Sequence, residues 1–134
     1  MIKLKNNISI PQIGLGVFKI EPGAQMNDVI KYAYNIGYRL FDTAQMYHNE
    51  DALGNAIQAN LIDRNDIFLI SKVDNSNQGY KNTITSFYDS LSKLKTDYLD
   101  AFLIHWPGLN KSRTLETWRA LEYLYKQNKV KTIG

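Results

Sequence analysis

The chain has 134 residues, 44% of them hydrophobic and 12% aromatic, enough for one globular domain with a modest core. Charged residues make up 22% and are interspersed, which excludes wholesale disorder. The net charge of +3 comes from scattered Lys and Arg pairs, the pattern of solvated faces and not of a nucleic-acid patch. There are no cysteines, so disulfides and thiolate chemistry are excluded.

The first ten residues, "MIKLKNNISI", lack the continuous apolar stretch of a signal peptide. No apolar run approaches the roughly 18 residues that span a bilayer. The expectation is a soluble cytoplasmic protein that engages neither membrane nor nucleic acid, and the sequons at Asn7 and Asn110 carry little weight in that setting.

In chain order, "IKLK-NN-ISI" alternates with period two on both sides of Asn6 and Asn7, a pair that tolerates positive φ, and reads as a short hairpin. Pro11 interrupts, and "IGLG" at 13–16 reads as a short buried strand, followed by a turn at Glu21-Pro22-Gly23. Met26, Val29, Ile30, Ala33 and Tyr34 recur at helical spacing, with Gly37 as the left-handed stop. The unit then repeats. Strand-like runs fall at 38–42, 67–72, 98–105 and 130–134. Between them lie a helix over 49–60 (Ala52, Leu53, Ala56, Ile57), a second striped by Ile84, Phe87, Tyr88, Leu91 and Leu94, and a third striped by Leu115, Trp118, Leu121 and Leu124 with Asn128 as its cap. Strand–helix alternation with strands apolar on both faces predicts an α/β fold, a parallel sheet covered by helices.

In such folds, sites form where the loops gather at the carboxyl ends of the strands. Asp42 ends one strand, Tyr47 lies in the loop after it, Lys72 ends the next strand and His105 the one after that. Each has a plain structural alternative: Asp42 as a helix cap or turn residue, Tyr47 as half-buried packing, Lys72 as a strand-end charge, His105 as a core histidine. Four such residues on one rim weaken those alternatives taken together. A tyrosine, with an ordinary pKa of about 10, is a poor acid at neutral pH; a lysine cation beside it favours the phenolate, and a carboxylate holds the lysine. A neighbouring histidine can donate a hydrogen bond to a carbonyl oxygen. This is equipment for protonating an oxyanion as a carbonyl is reduced. No side chain donates hydride, so a nicotinamide or flavin is implied.

The segments "GYRLFDTAQMYHNEDALGNAI", "IFLISK", "SLSKLKTDYLDAFLIHWPG" and "TWRALEYLYKQNKVKTIG" resemble, in order and spacing, the aldo-keto reductase family over essentially the whole chain. The resemblance implies a TIM-type barrel and NADPH- or NADH-dependent reduction of small aldehydes and ketones. Tyr47 would be the general acid, tuned by Lys72 and Asp42, with His105 orienting the carbonyl. It further implies that Gly16, Val17 and Phe18 lie along the cofactor and substrate cleft, that Asp42 also meets the nicotinamide ribose, and that Trp106 lines the substrate pocket, with packing against Pro107 as the alternative. Two small departures are Ser71, where threonine is common, and Asn128, at a usual glycine.

A complete barrel of this kind takes about 250 residues. Residues 1–134 therefore read as a single partial domain, the N-terminal half: the hairpin, four strand–helix units and the opening of a fifth strand, with the truncation at the C-terminus. Such a half leaves strand edges and an apolar inner face open, for which self-association or a complementary C-terminal half is expected. Two functional readings follow: a carbonyl reductase, or a non-catalytic remnant or interaction module that lacks the cofactor-binding half. A flavodoxin-like protein would also suit five parallel strands, but "GLGVFKIEPGAQ" lacks the G-x-G-x-x-G spacing.

Overall fold

The structure, a computed structural model, describes all residues 1–134. It opens with an antiparallel hairpin, β1 (Ile2–Lys3) and β2 (Ser9–Ile10), in which Ile2 faces Ile10 and Lys3 faces Ser9. Asn7 takes the left-handed conformation at φ 64° in the hairpin turn, the role its residue type predicts. Five parallel strands follow: β3 (Leu15–Gly16), β4 (Leu40–Asp42), β5 (Phe68–Val73), β6 (Leu99–Ile104) and β7 (Val130–Ile133). Between them run α1 (Ala24–Asn35), α2 (Glu50–Ala59), α3 (Tyr80–Leu94) and α4 (Lys111–Lys126). No helix is long and apolar enough to cross a membrane.

The strands stand side by side in sequence order, and α1 packs on α2, α2 on α3 and α3 on α4. A doubly wound sheet reverses its strand order and carries helices on both faces. The uniform progression here is that of a barrel wall, so the flavodoxin-like alternative is excluded. The wall does not close: β3 and β7 are each paired on one side only.

The pleat sorts the side chains. Phe41, Leu69, Val73, Phe102 and Val130 project toward the helices and form, with Met26, Ile30, Leu53, Phe87, Leu121 and Leu124, one continuous core. Phe87 of α3 meets Phe102 of β6 edge to face at 5.0 Å. Burying each such side chain contributes about 1.5–3 kcal/mol. On the other face Leu40, Phe68, Ile70 and Ala101 form a smaller cluster covered by Ile8 and Ile10 of the hairpin, so β2 plugs the end of the sheet remote from the carboxyl ends of the strands. Both faces of β4 and β5 are buried, which explains their uninterrupted apolar runs.

Several expectations are corrected. The 13–16 run is an edge, not a buried strand: only Leu15 and Gly16 pair, and Ile13 is 69% exposed. Tyr38 and Arg39 precede β4, because the Arg39 guanidinium turns back to the carbonyls of Tyr34 and Tyr38 and stacks on the Tyr34 ring. Tyr88 and Leu115 lie on the outer faces of their helices, and Ser86, Ser90, Thr117 and Ala120 take buried positions there. The stops hold as read: Gly37 has φ 104° and Asn128 φ 56°.

At the amino ends of the strands, Asp100 is buried yet carries two cations, Arg64 at 2.7 Å and Lys131 at 2.8 Å. It also accepts the backbone N–H of Leu69 at 2.9 Å, where a side chain takes the place of a ladder carbonyl. Arg64 in turn donates to the carbonyls of Ile67 and Tyr98, tying α2's exit to β5 and β6. Truncating the shared anion strands the Arg64 guanidinium and the Leu69 N–H, while the half-exposed Lys131 ammonium can turn to water. Asp100→Ala is therefore expected to cost about 3–5 kcal/mol, measured as a fall in the urea unfolding midpoint; a change within about 0.5 kcal/mol would show the cluster to be incidental.

Candidate active site

The carboxyl ends of β3 to β6 bring the candidate residues to one rim. Gly16 of β3 stands beside Asp42 of β4, Asp42 pairs with Ile70 of β5, and Lys72 of β5 pairs with Leu103 of β6, two residues before His105. Asp42 and Lys72 fall on the same side of the pleat as Leu40 and Ile70, so both polar groups project from the inner face where the apolar plug ends.

Beyond β4 the chain stays extended through Ala44 and makes a short 3₁₀ turn, Gln45–Tyr47. It then reverses at His48, whose φ is 53°, before α2 starts. Asn49 locks this segment. Its side-chain amide donates to the carbonyl of Val17 at 2.9 Å, and its carbonyl accepts from the Thr43 hydroxyl at 3.0 Å. The turn after β3 and the Tyr47 turn are thus held together from beneath.

Lys72 is the centre of the rim. Its ammonium donates to Asp42 Oδ1 at 2.6 Å, to the carbonyl of Thr43 at 2.9 Å and to the Tyr47 hydroxyl at 3.5 Å. The lysine side chain is 13% exposed and the aspartate 31%, so the pair faces the cleft with little screening by solvent. Asp42 is therefore neither a helix cap nor a turn residue. The Tyr47 ring lies against Phe18 at 4.9 Å and meets His105 edge-on at 5.6 Å. Trp106 continues the wall, near-parallel to His105 at 6.2 Å, and is 58% exposed. Val17 is fully buried behind the rim, whereas Phe18 is open to it.

His105 Nδ1 is buried without a hydrogen-bond partner. An N–H placed there would forfeit a hydrogen bond, a cost of about 1–3 kcal/mol, which favours the neutral tautomer protonated on Nε2. Burial pushes the histidine below its ordinary pKa, the Lys72 cation adds to that shift, and Asp42 and Asp74 oppose it.

A second polar group sits behind the rim and escaped the reading of the sequence. Glu50, the first residue of α2, is 2% exposed and accepts the hydroxyls of Ser71 at 2.5 Å and Ser90 at 3.1 Å. Burial raises its pKa, and the two hydroxyls work in the opposite direction. The available signals were Ser71 interrupting an apolar strand, and Ser86 and Ser90 four apart on the core face of α3.

The rim fits the ribose end of a nicotinamide nucleotide. Asp42 uses only Oδ1 on Lys72, and its Oδ2 is a free acceptor over bare Gly16, where even an added Cβ would lie 4.0 Å away. The Tyr47 and His105 rings stand side by side on the same rim, and no hydride source is among the side chains.

Singly wound parallel strands with a titratable rim at their carboxyl ends define a β/α-barrel protein, here with an open wall. The chain belongs to the Aldo/keto reductase family, whose pattern matches residues 12–134. It is 47% identical over 133 residues to the glyoxal reductase of Bacillus subtilis (strain 168), covering 99% of this chain and 48% of that protein. It is 41% identical over 133 residues to the 9,11-endoperoxide prostaglandin H2 reductase of Trypanosoma cruzi (strain CL Brener), covering 99% of this chain and 46% of that protein. The crystal structure of an aldo/keto reductase from Brucella melitensis superposes with a TM-score of 0.94 at 45% identity, over 99% of this chain and 52% of that one. The chain thus spans about half the length of the curated relatives it matches.

The shift at His105 fixes the sign of one pH effect. The unfolded side chain takes up its proton near the ordinary value of 6.5, while the folded one resists until lower pH. Stability is therefore full above 6.5 and lost as pH falls through the folded pKa. In urea unfolding series, His105→Gln is expected to weaken the decline between neutral and mildly acidic pH. An unchanged slope would show that His105 is not buried in its neutral form.

Proposed function

We propose that this chain is the substrate-facing half of a reductase that converts small aldehydes and ketones to alcohols with NADPH, or NADH, in the cytoplasm. The observation that carries the reading is the Lys72 ammonium, bonded at once to Asp42 and to the Tyr47 hydroxyl. A carboxylate–lysine–tyrosine chain opening on a cleft, with a neutral imidazole edge beside it, has a direct use in carbonyl chemistry.

Reduced nicotinamide, when bound, supplies the hydride that no side chain can give. Asp42 Oδ2, over Gly16, would hold its ribose end, with the fully buried Val17 supporting that turn from behind. His105 Nε2–H donates to the substrate carbonyl and orients it toward Tyr47. As negative charge develops on that oxygen, Tyr47 gives up its phenolic proton and the product alcohol forms. Lys72 stabilises the phenolate left behind, and Asp42 keeps the ammonium in place. Phe18 and Trp106 flank the entrance as apolar walls that limit water around the reacting carbonyl. The name of the Bacillus subtilis relative makes glyoxal a suitable first substrate to assay.

A second reading, a non-catalytic remnant or interaction module, rests on two observations: the wall is open at β3 and β7, and the chain covers about half of its relatives. Under it, the free edges serve association with a second copy or with a complementary half-barrel.

Tyr47→Phe separates the two readings. Under the reductase reading it lowers kcat for NADPH-dependent glyoxal reduction by about 10²–10⁴-fold, while cofactor binding, followed by quenching of Trp106 and Trp118 fluorescence, is retained. Undiminished turnover in the variant would remove Tyr47 as the acid, and absence of both turnover and saturable cofactor binding in the wild type would favour the module.

A further inference from the structure

The buried polar groups behind the rim form a closed path. The backbone N–H of Asp74, just past β5, donates to Gln45 Oε1 at 2.8 Å. Gln45 Nε2 donates to Ser90 Oγ at 3.0 Å, and Ser90 Oγ donates to Glu50 Oε2 at 3.1 Å. Ser71 Oγ, back on β5, donates to Glu50 Oε1 at 2.5 Å. Ser71, Ser90 and Glu50 are each no more than 2% exposed.

The attachment points matter more than the bonds themselves. On β5 and the residue just past it the path is tied at Ser71 and Asp74, which bracket Lys72. On the segment after β4 it is tied at Gln45 and Glu50, which bracket Tyr47. Ser90 of α3 is the side chain that joins Gln45 to Glu50; Gln45 Nε2 also donates to the backbone carbonyl of Ser86 at 3.1 Å, a bond that no side-chain substitution at Ser86 removes. We propose that this Gln45–Ser90–Glu50 clasp is the positioning device of the site: it sets the Tyr47 turn against β5 and so fixes the separation of the Tyr47 hydroxyl from the Lys72 ammonium. Gln45, Ser90 and Glu50 touch neither substrate nor cofactor and act through the two residues they bracket. The inference rests on the reductase reading for its consequence in turnover, but not for its geometry.

The Tyr47–Lys72 separation of 3.5 Å lies at the outer limit of a hydrogen bond, so a small displacement breaks it. Plain helix packing does not account for the arrangement. Ser86, one turn earlier on the same face of α3 and also buried, spends its hydroxyl on the carbonyl of Thr83 within its own helix. Its hydroxyl takes no part in the clasp, which makes Ser86→Ala the matched control for Ser90→Ala.

The test uses the 134-residue chain with ¹³C-labelled tyrosine rings, the Tyr47 signal being identified by its loss in Tyr47→Phe. Ser90→Ala is expected to shift the Tyr47 signal, Ser90→Thr to restore it, and Ser86→Ala to leave it in place, all measured below each variant's Tm. Gln45→Met, which cuts the path at a half-buried position without opening a cavity, is expected to shift it as well, and serves where Ser90→Ala does not fold. In glyoxal reduction with NADPH, Ser90→Ala is expected to lower kcat by about 10–100-fold with KM within about twofold, because an ångström of misplacement costs about that much. An unmoved Tyr47 signal in both Ser90→Ala and Gln45→Met, or an equal shift in Ser86→Ala, would overturn the clasp. If the wild-type chain binds and reduces nothing while the signals shift as expected, the reductase reading fails and the clasp stands.

Discussion

The contact between the Lys72 ammonium and the Asp42 carboxylate is the constraint on which the rest of the rim depends. A lysine at the end of a strand buried on both faces would normally extend to water, since desolvating a lone cation costs far more than a surface ion pair returns. Here the charge is kept inside the rim by three oxygens at fixed positions: a carboxylate, a backbone carbonyl and a phenol. The parallel register of β4 and β5 places the first two, and the short turn after β4 brings in the third. Without the aspartate, the ammonium would have reason to leave the tyrosine.

The fold serves that contact from both sides. Below it, Leu40, Phe68, Ile70 and Ala101, capped by Ile8 and Ile10, fill the inner face and exclude water from the base of the lysine. Behind it, a layer of buried polar side chains from α2, β5 and α3 replaces the apolar packing that the rest of the helix–sheet boundary uses. Buried hydrogen bonds are directional where apolar contacts are not, and direction is what a site with a long Tyr47–Lys72 contact needs. The remote end of the sheet is held by different means, with Asp100 gathering Arg64 and Lys131. Stabilising charge and the proposed reactive charge thus occupy opposite ends of the same strands.

Much of this was legible in the sequence because period and punctuation agreed. Apolar runs of strand length ended at Asp42, Lys72 and His105, and the alternation of strands and helices put those ends on one rim. The elements misread were those whose residue types carry mixed signals. Tyr88 and Leu115 are apolar in type yet lie on outer faces, while Ser86, Ser90 and Thr117 are polar in type yet face the core. The 13–16 run has a buried strand's composition but lies at an edge. Glu50 reads as an ordinary acid in a helix's first turn, and only the three-dimensional approach of Ser71 and Ser90 gives it a buried role.

The central claim is that Lys72 acts through Tyr47 and not on its own. A double-mutant cycle on glyoxal reduction, with Lys72→Met, Tyr47→Phe and the pair, tests it directly. If the two side chains form one proton-donating unit, Lys72→Met slows the wild type by about 10²-fold or more yet adds little to Tyr47→Phe. If the two losses multiply, each residue contributes independently, and the account of the rim as a single carboxylate–lysine–tyrosine chain is wrong.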